Sequence, residues 1–269
     1  MKFKTFKQAL LILFCCYLPF SSMAWGALGH RIVGQIADSY LTAAAKKAIT
    51  KILGTESIAL ASTWPDFIKS DTSFAYLNKW HYVNLKAGMS LQEVTDFLDK
   101  DTATDANTKI NFLIKQLKNK QLTPTNKTMY LRLLIHIVGD VHQPLHVGRE
   151  EDLGGNKIKI SWFGAYSNLH RLWDEQLIGG QQLSFTEYTT AINFCTPVQK
   201  NLWQKQGVKV WLYESYQIVN KIYAYSDTTS GVKLDYGYEY NFKWISTVNA
   251  QLLKGGIRLS GILNKIFTV

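Results

Sequence analysis

The 269-residue chain is poor in cysteine and places no histidine beyond residue 170. Of its three cysteines, Cys15 and Cys16 lie in the first 24 residues and only Cys195 lies beyond them. A chain cut after residue 24 therefore cannot close an internal disulfide. Its stability must come from an apolar core, and from metal if metal is bound. Alone in the mature chain, Cys195 reads as a small buried hydrophobe, not as a nucleophile. No proline- or serine-rich linker, repeat or low-complexity tract divides the sequence, so one domain with a substantial core is expected. Acidic residues are also few, 20 against 30 Lys and Arg, for a net charge of +10. Such an excess attracts polyanions, but ordinary solubility accounts for it equally well, so charge selects no partner.

The N-terminus carries an address. Lys2, Lys4 and Lys7 precede an apolar run from Ala9 to Phe20, and Ser22-Met23-Ala24 offers a small-x-small cleavage site. The run is too short for a comfortable membrane span. Bulky residues before Cys15 argue against a lipoprotein site. Residues 1–24 thus read as a secretory signal peptide, and residues 25–269 as the exported domain, periplasmic or secreted, beginning at Trp25. Processing removes three lysines and leaves a side-chain charge of about +7.

Most of the remaining pattern is helical. Apolar groups recur at helical spacing from about Arg31 to Leu53, with Gly54 as a stop. Ser90 and Glu93 form a capping pattern. Helical stretches are also predicted from about Asp105 to Lys118, Thr128 to His142, Val208 to Tyr225 and Tyr238 to Asn264, with Pro144 ending the second of these. Asn156 to Trp162 alternates and reads as a strand, half of a small hairpin. The last third, without histidine, reads as scaffold. A mainly α fold follows: a helical bundle with a small β-hairpin element.

The histidines carry the chemistry. His136, His142 and His146 crowd one short run that also holds Asp140. His136 and Asp140 are four apart on a helix and so share a face, and His170 and Asp174 repeat that spacing. Pro144 lets the chain turn back and bring His146 toward the second pair. Asp66 follows Trp64-Pro65 in a turn, and His81 follows Trp80. A lone histidine in an apolar helix is an ordinary core residue, and a lone His/Asp pair an ordinary surface contact. Two repeated pairs, one in a strongly apolar helix, point instead to a polynuclear site for divalent metal, because a buried Asp140 without a partner is costly.

Six segments resemble the hallmarks of the S1/P1-type single-strand nucleases, secreted trinuclear zinc enzymes. They are Trp25-Gly-Ala-Leu-Gly-His30, Trp64-Pro-Asp66, Trp80-His81, Gly139-Asp140-Val-His-Gln-Pro-Leu-His146, Gly154-Gly-Asn156 and Asn168-Leu-His170-Arg-Leu-Trp-Asp174. They run in family order. The resemblance implies a fold like that of this family and of the zinc phospholipases C, and three Zn2+ ions. Asp66, His81 and His136 would hold one ion. Trp25, through its free amine and carbonyl oxygen, would hold a second with His30 and Asp140, the last bridging toward the first. His146, His170 and Asp174 would hold the third. His142, two residues past Asp140, points to another side and is expected to support or pack.

The implied activity is hydrolysis of single-stranded DNA and RNA to 5′-phosphate products, with 3′-nucleotidase action. Asp66 would orient the attacking water, and Lys69 would contact phosphate. Tyr82 would stack on a base, and Asn84 and Asn156 would hydrogen-bond base edges. The family commonly carries Asp where this chain has Asn84, so base preference does not transfer. Single-stranded nucleic acid and 3′-nucleotides are the expected substrates, with no stable membrane anchor and no obligate protein partner indicated. The main rival is a zinc phospholipase C. That type typically ends its third site His-x-x-x-Glu, whereas this chain has His170 and Asp174.

Overall fold

A computed structural model describes residues 25–226 and 234–268. The expected signal peptide, 1–24, lies outside the described residues.

Two helices open the fold, α1 (Ala27–Ser39) and α2 (Ala43–Leu53). The pattern from Arg31 to Leu53 predicts one helix, and this is corrected. The Thr42 side chain accepts from the Ala45 backbone N–H and starts a new helix there. Asn264, far along the chain, clamps both sides of the break, accepting from Thr42 N at 2.8 Å and donating to Tyr40 O at 3.1 Å. The predicted stop at Gly54 is observed, with φ 67°.

Short helical turns follow at Ile58–Ala61, Trp64–Phe67 and Thr72–His81. Helix α3 (Leu91–Lys100) carries the predicted capping box of Ser90 and Glu93. Helix α4 (Ala106–Leu117) is capped by Asp105. Helix α5 (Pro124–Asp140) begins earlier than its apolar stretch, because Thr123 caps it and Pro124 occupies its first turn. From Leu133 to Asp140 every residue of α5 is buried. This helix packs against α1, α2 and α4, and a 3-10 turn, Pro144–Val147, follows it.

The C-terminal part adds α6 (Phe185–Ile192), α7 (Pro197–Lys205), α8 (Val208–Tyr225) and α9 (Tyr238–Phe267). Helix α9 lies along α1, α5 and α7 and closes the bundle. The predicted strand is shorter than expected, since Asn156 to Ile158 still belong to a turn. Strands β1 (Lys159–Trp162) and β2 (Ala165–Asn168) form an antiparallel hairpin. Its two-residue loop, Phe163-Gly164, takes positive φ at both positions, as the strand twist favours. A two-residue strand, β3 (Asp235–Tyr236), pairs parallel to β1 on its other side.

Candidate metal centre

The buried C-terminal end of α5 organises the site. His136 and Asp140 project from its last turns, with His136 Nε2 3.2 Å from Asp140 Oδ2. Helix α1 lays His30 against them, its ring stacked on that of His136 at 3.8 Å between centroids. Gly139 makes this approach possible: a Cβ there would stand 2.9 Å from His30 Nδ1. Asp66 arrives on the short helix after Pro65, with Oδ1 3.7 Å from His136 Nε2. His81 ends its 3-10 turn with Nδ1 2.9 Å from Asp140 Oδ2 and 3.0 Å from His136 Nε2.

A second group adjoins the first. His146, on the 3-10 turn after Pro144, faces His170 with 5.0 Å between ring centroids. His146 Nε2 and His170 Nε2 lie 3.9 Å and 3.2 Å from the Asp174 carboxylate. His170 sits on the helical turn Leu169–Arg171, and Asp174 on the wider π-helical turn Leu172–Gln176 that continues it. The sequence spacing predicts an ordinary helix here. A π turn still keeps residues four apart on one face, and such turns gather at functional sites. His146 Nδ1 also lies 3.9 Å from Asp140 Oδ1, so Asp140 lies between the two groups.

The structure thus brings together His30, Asp66, His81, His136, Asp140, His146, His170 and Asp174. His30, Asp66 and His136 offer donor atoms within 4.8 Å of one another, as do His81, His136 and Asp140, and as do His146, His170 and Asp174. His30 therefore neighbours Asp66 and His136 as well as Asp140, whose Oδ1 is 3.2 Å from His30 Nε2. Trp25 is fully buried beside this end of α1. The next residue, Gly26, donates its N–H to Asp174 O at 2.8 Å, which ties the segment before α1 to the second group.

The donor set fits divalent metal on its own geometry. His136, His146 and His170 each point Nδ1 at a backbone carbonyl, of Ser62, His81 and Gly154, at 2.6, 2.7 and 2.6 Å. A carbonyl only accepts, so Nδ1 carries the proton and Nε2 is left with a free lone pair facing inward. Gly154 supplies its carbonyl from a tight loop with φ 61°. His30 Nδ1, Asp66 Oδ2 and His146 Nε2 are buried without a hydrogen bond, and Asp140 Oδ1 and Asp174 Oδ2 lie 3.2 Å from the Nε2 atoms of His30 and His170. Polar atoms left so in a core are expensive, and a cation shared among them removes that penalty. Imidazole nitrogen with carboxylate oxygen suits zinc.

Charge follows the same logic. Burial pushes the Asp140 carboxyl up, but the imidazoles of His136, His30 and His81 outweigh it and hold the group well below the usual carboxylate range. Burial drives His136 down to about 3 against the pull of Asp140, so this ring is neutral and ready to ligate. At His170 the charge and hydrogen bond of Asp174 overcome burial and raise the imidazole.

A cavity of about 450 Å³ opens over both groups, lined by His81, His146 and His170 at its polar floor. Lys69 reaches into it and pairs with Asp66 Oδ1 at 2.5 Å. Tyr82, Asn84 and Asn156 line its wall. The first two share that wall because residues 82–85 are extended. Val83 N donates to His146 O and Leu85 N to Gly148 O, at 2.8 and 3.1 Å. Alternation then buries Val83 and Leu85 and turns Tyr82 and Asn84 toward the cavity.

His142 stands apart from these groups, as its position suggests. It donates Nδ1–H to Val138 O at 2.7 Å, and its Nε2 meets the buried Arg258 at 3.0 Å. Sequence reasoning missed Gln143. Its amide donates to Asp174 Oδ1 at 2.5 Å while its carbonyl accepts from Leu145 N at 2.6 Å. Its place between Asp140 and His146 was the available signal. Asn78 and Glu150, also on the cavity wall, were missed too.

Known proteins match this arrangement along nearly the whole chain. A family model described as S1/P1 Nuclease covers residues 25–268. Endonuclease 3 of Arabidopsis thaliana is 32% identical over 281 residues, spanning 96% of this chain and 94% of that protein. Nuclease P1 of Penicillium citrinum is 25% identical, over 90% of this chain and 97% of its own length. Nuclease S1 of Aspergillus oryzae is 33% identical over a shorter stretch, 60% of this chain and 58% of that protein. With the matched region running from Trp25 through both His/Asp groups to the end of α9, the chain belongs to the S1/P1 nuclease family.

Proposed function

We propose that the chain is a zinc-dependent endonuclease that hydrolyses phosphodiester bonds of single-stranded DNA and RNA to 5′-phosphate products and also dephosphorylates 3′-nucleotides. The observation that carries this reading is the cluster of buried histidine and aspartate donors beneath a cavity walled by Tyr82, Asn84 and Asn156. Family membership supports it over the phospholipase C alternative.

Three ions are assigned. Asp66, His81 and His136 hold one, Trp25, His30 and Asp140 a second, and His146, His170 and Asp174 a third. Zinc, when bound, supplies Lewis-acid charge for phosphate and water of lowered pKa. Asp66 orients the attacking water. Lys69, already paired with Asp66, meets a phosphate oxygen with its ammonium. Tyr82 is 37% exposed, which leaves a ring face free for a base. The Asn156 amide gives one N–H to Leu153 O at 2.8 Å, which fixes the side chain and leaves its oxygen to accept from a base edge. Splayed bases offer their faces and paired bases hide them, which selects single strands.

Among the described residues no helix is long and apolar enough to cross a membrane. Export after cleavage before Trp25 is part of the proposal. Metal analysis of the processed protein, paired with product identification on single-stranded DNA and RNA, tests the whole. Bound zinc and 5′-phosphate ends are expected. A metal-loaded protein inert on both substrates overturns the reading.

A further inference from the structure

We propose that Glu150 makes the base pocket selective for guanine, an inference that rests on the nuclease reading above. Glu150 lines the same cavity as Tyr82, Asn84 and Asn156. The pairing of residues 83–85 with 146–148 carries the chain directly to it, two residues past Gly148. It belongs to none of the metal-capable groups. The Glu150 side chain is exposed, and among the described residues its carboxylate makes no hydrogen bond or ion pair; neither does the Asn84 amide, so both are available to a ligand.

Charge decides which part of a nucleotide meets Glu150. The phosphate goes to Lys69 and the histidine floor, and a carboxylate repels it. The base is what remains for the Glu150 wall. Hydrogen-bond pattern then decides which base. A carboxylate only accepts, at two oxygens side by side. Guanine alone presents two adjacent donors on one edge, N1–H and the N2 amino group, matched to that pair. Its O6 lies next to N1 and needs a donor, which Asn84 supplies through its side-chain amide. An aspartate at 84 would repel O6, so the asparagine in this chain completes the pattern. Adenine and cytosine put an acceptor beside their one amino group. Uracil and thymine place a single N–H between two carbonyl oxygens, which the carboxylate repels. A well-placed bidentate contact of this kind discriminates by about tenfold or more.

The test is steady-state hydrolysis of the four 3′-mononucleotides by the zinc-loaded mature protein and its Glu150→Gln variant. Calorimetric binding of guanosine and uridine, which have no phosphate to lose, adds a readout independent of turnover. The unaltered protein should favour 3′-GMP over 3′-UMP by about tenfold or more in kcat/KM. Glu150→Gln should cut that ratio by a similar factor, lowering 3′-GMP turnover and raising 3′-UMP turnover, and should weaken guanosine binding in parallel. A Glu150→Thr variant, shorter and uncharged, should lose the preference as well. Equal rates on the four nucleotides by the unaltered protein, or a guanine preference that persists undiminished in both variants, would overturn the assignment while leaving the nuclease reading intact. Absence of hydrolysis on every nucleotide would instead strike the reading beneath it.

Discussion

At the scale of single residues, two side chains separate chemistry from support. Asp66 is buried with Oδ1 paired to Lys69 and Oδ2 without a partner, and His136 and Lys69 hold its carboxyl below the ordinary range against the opposing effect of burial. Asp66→Asn keeps the shape and removes the charge. Turnover on single-stranded DNA should fall by about 100-fold or more while the fold is retained, as read from circular dichroism. Unchanged turnover in a correctly folded variant rules out the role given to Asp66. Gln143 touches no substrate. It fixes Asp174 from behind, so Gln143→Leu should weaken zinc at the His146 group by roughly 10–100-fold, the usual effect of removing such a support. Competition with a chromophoric chelator measures this, and an unaltered zinc affinity would dismiss the supporting role.

At the scale of elements, helix starts are written in local chemistry. Thr42, Ser90, Asp105 and Thr123 each cap a helix through a backbone N–H. Asp105 adds a pH dependence. Burial and a hydrogen bond with Asp101 push its carboxyl up to about 7. The folded state therefore holds this proton more tightly than the unfolded chain, whose aspartates titrate near about 3.9. The stability linked to Asp105 is full below about pH 4 and is lost as pH rises toward about 7. Asp105→Asn retains an oxygen to cap α4 and removes the titration. Its stability should vary less across that window, as read from denaturant melts at several pH values. An identical slope in the variant would show that the proton resides elsewhere.

At the scale of the whole molecule, the metal groups join parts of the chain that nothing else cross-links. Cys195 is the lone cysteine among the described residues, and its thiol meets only the Tyr40 hydroxyl, at 3.4 Å. The ligands come from α1, three short turns, α5 and the segment after β2. Ions at about 100 times their dissociation constant each add about 2.7 kcal/mol to a fold that alone binds them. Stripping zinc with a chelator should thus lower the melting temperature by roughly 5–10 °C per ion lost, reversibly on return of zinc. An unmoved transition would mean that the donors are satisfied without metal. The proposed cleavage before Trp25 is tested at the same scale. Trp25 is buried, and the adjoining Gly26 meets Asp174. A mature protein made with one extra residue before Trp25 loses the free amine there, and its zinc content and activity should fall. Full zinc and full activity in that variant would reject the chelate.

Much was written locally. The spacing of His136 and Asp140 on an apolar helix, the repeat of that spacing at His170 and Asp174, the capping box at Ser90 and the span of α8 all depend on neighbours within a turn or two, which a sequence displays. Other features depend on residues far apart. The break between α1 and α2 needs Asn264 to hold it, more than 200 positions away. The inward lone pairs of His136, His146 and His170 need carbonyls from Ser62, His81 and Gly154. The position of Asp140 between two groups, the support from Gln143 and the presence of Glu150 on the cavity wall exist only once the chain has closed. The sequence by itself determined which residues could ligate and which segments would be helical, because those follow from side-chain chemistry and short-range backbone preference. Tertiary structure alone decided which lone pairs face one another, because a distance of 3 Å between remote residues is set by how the whole core packs.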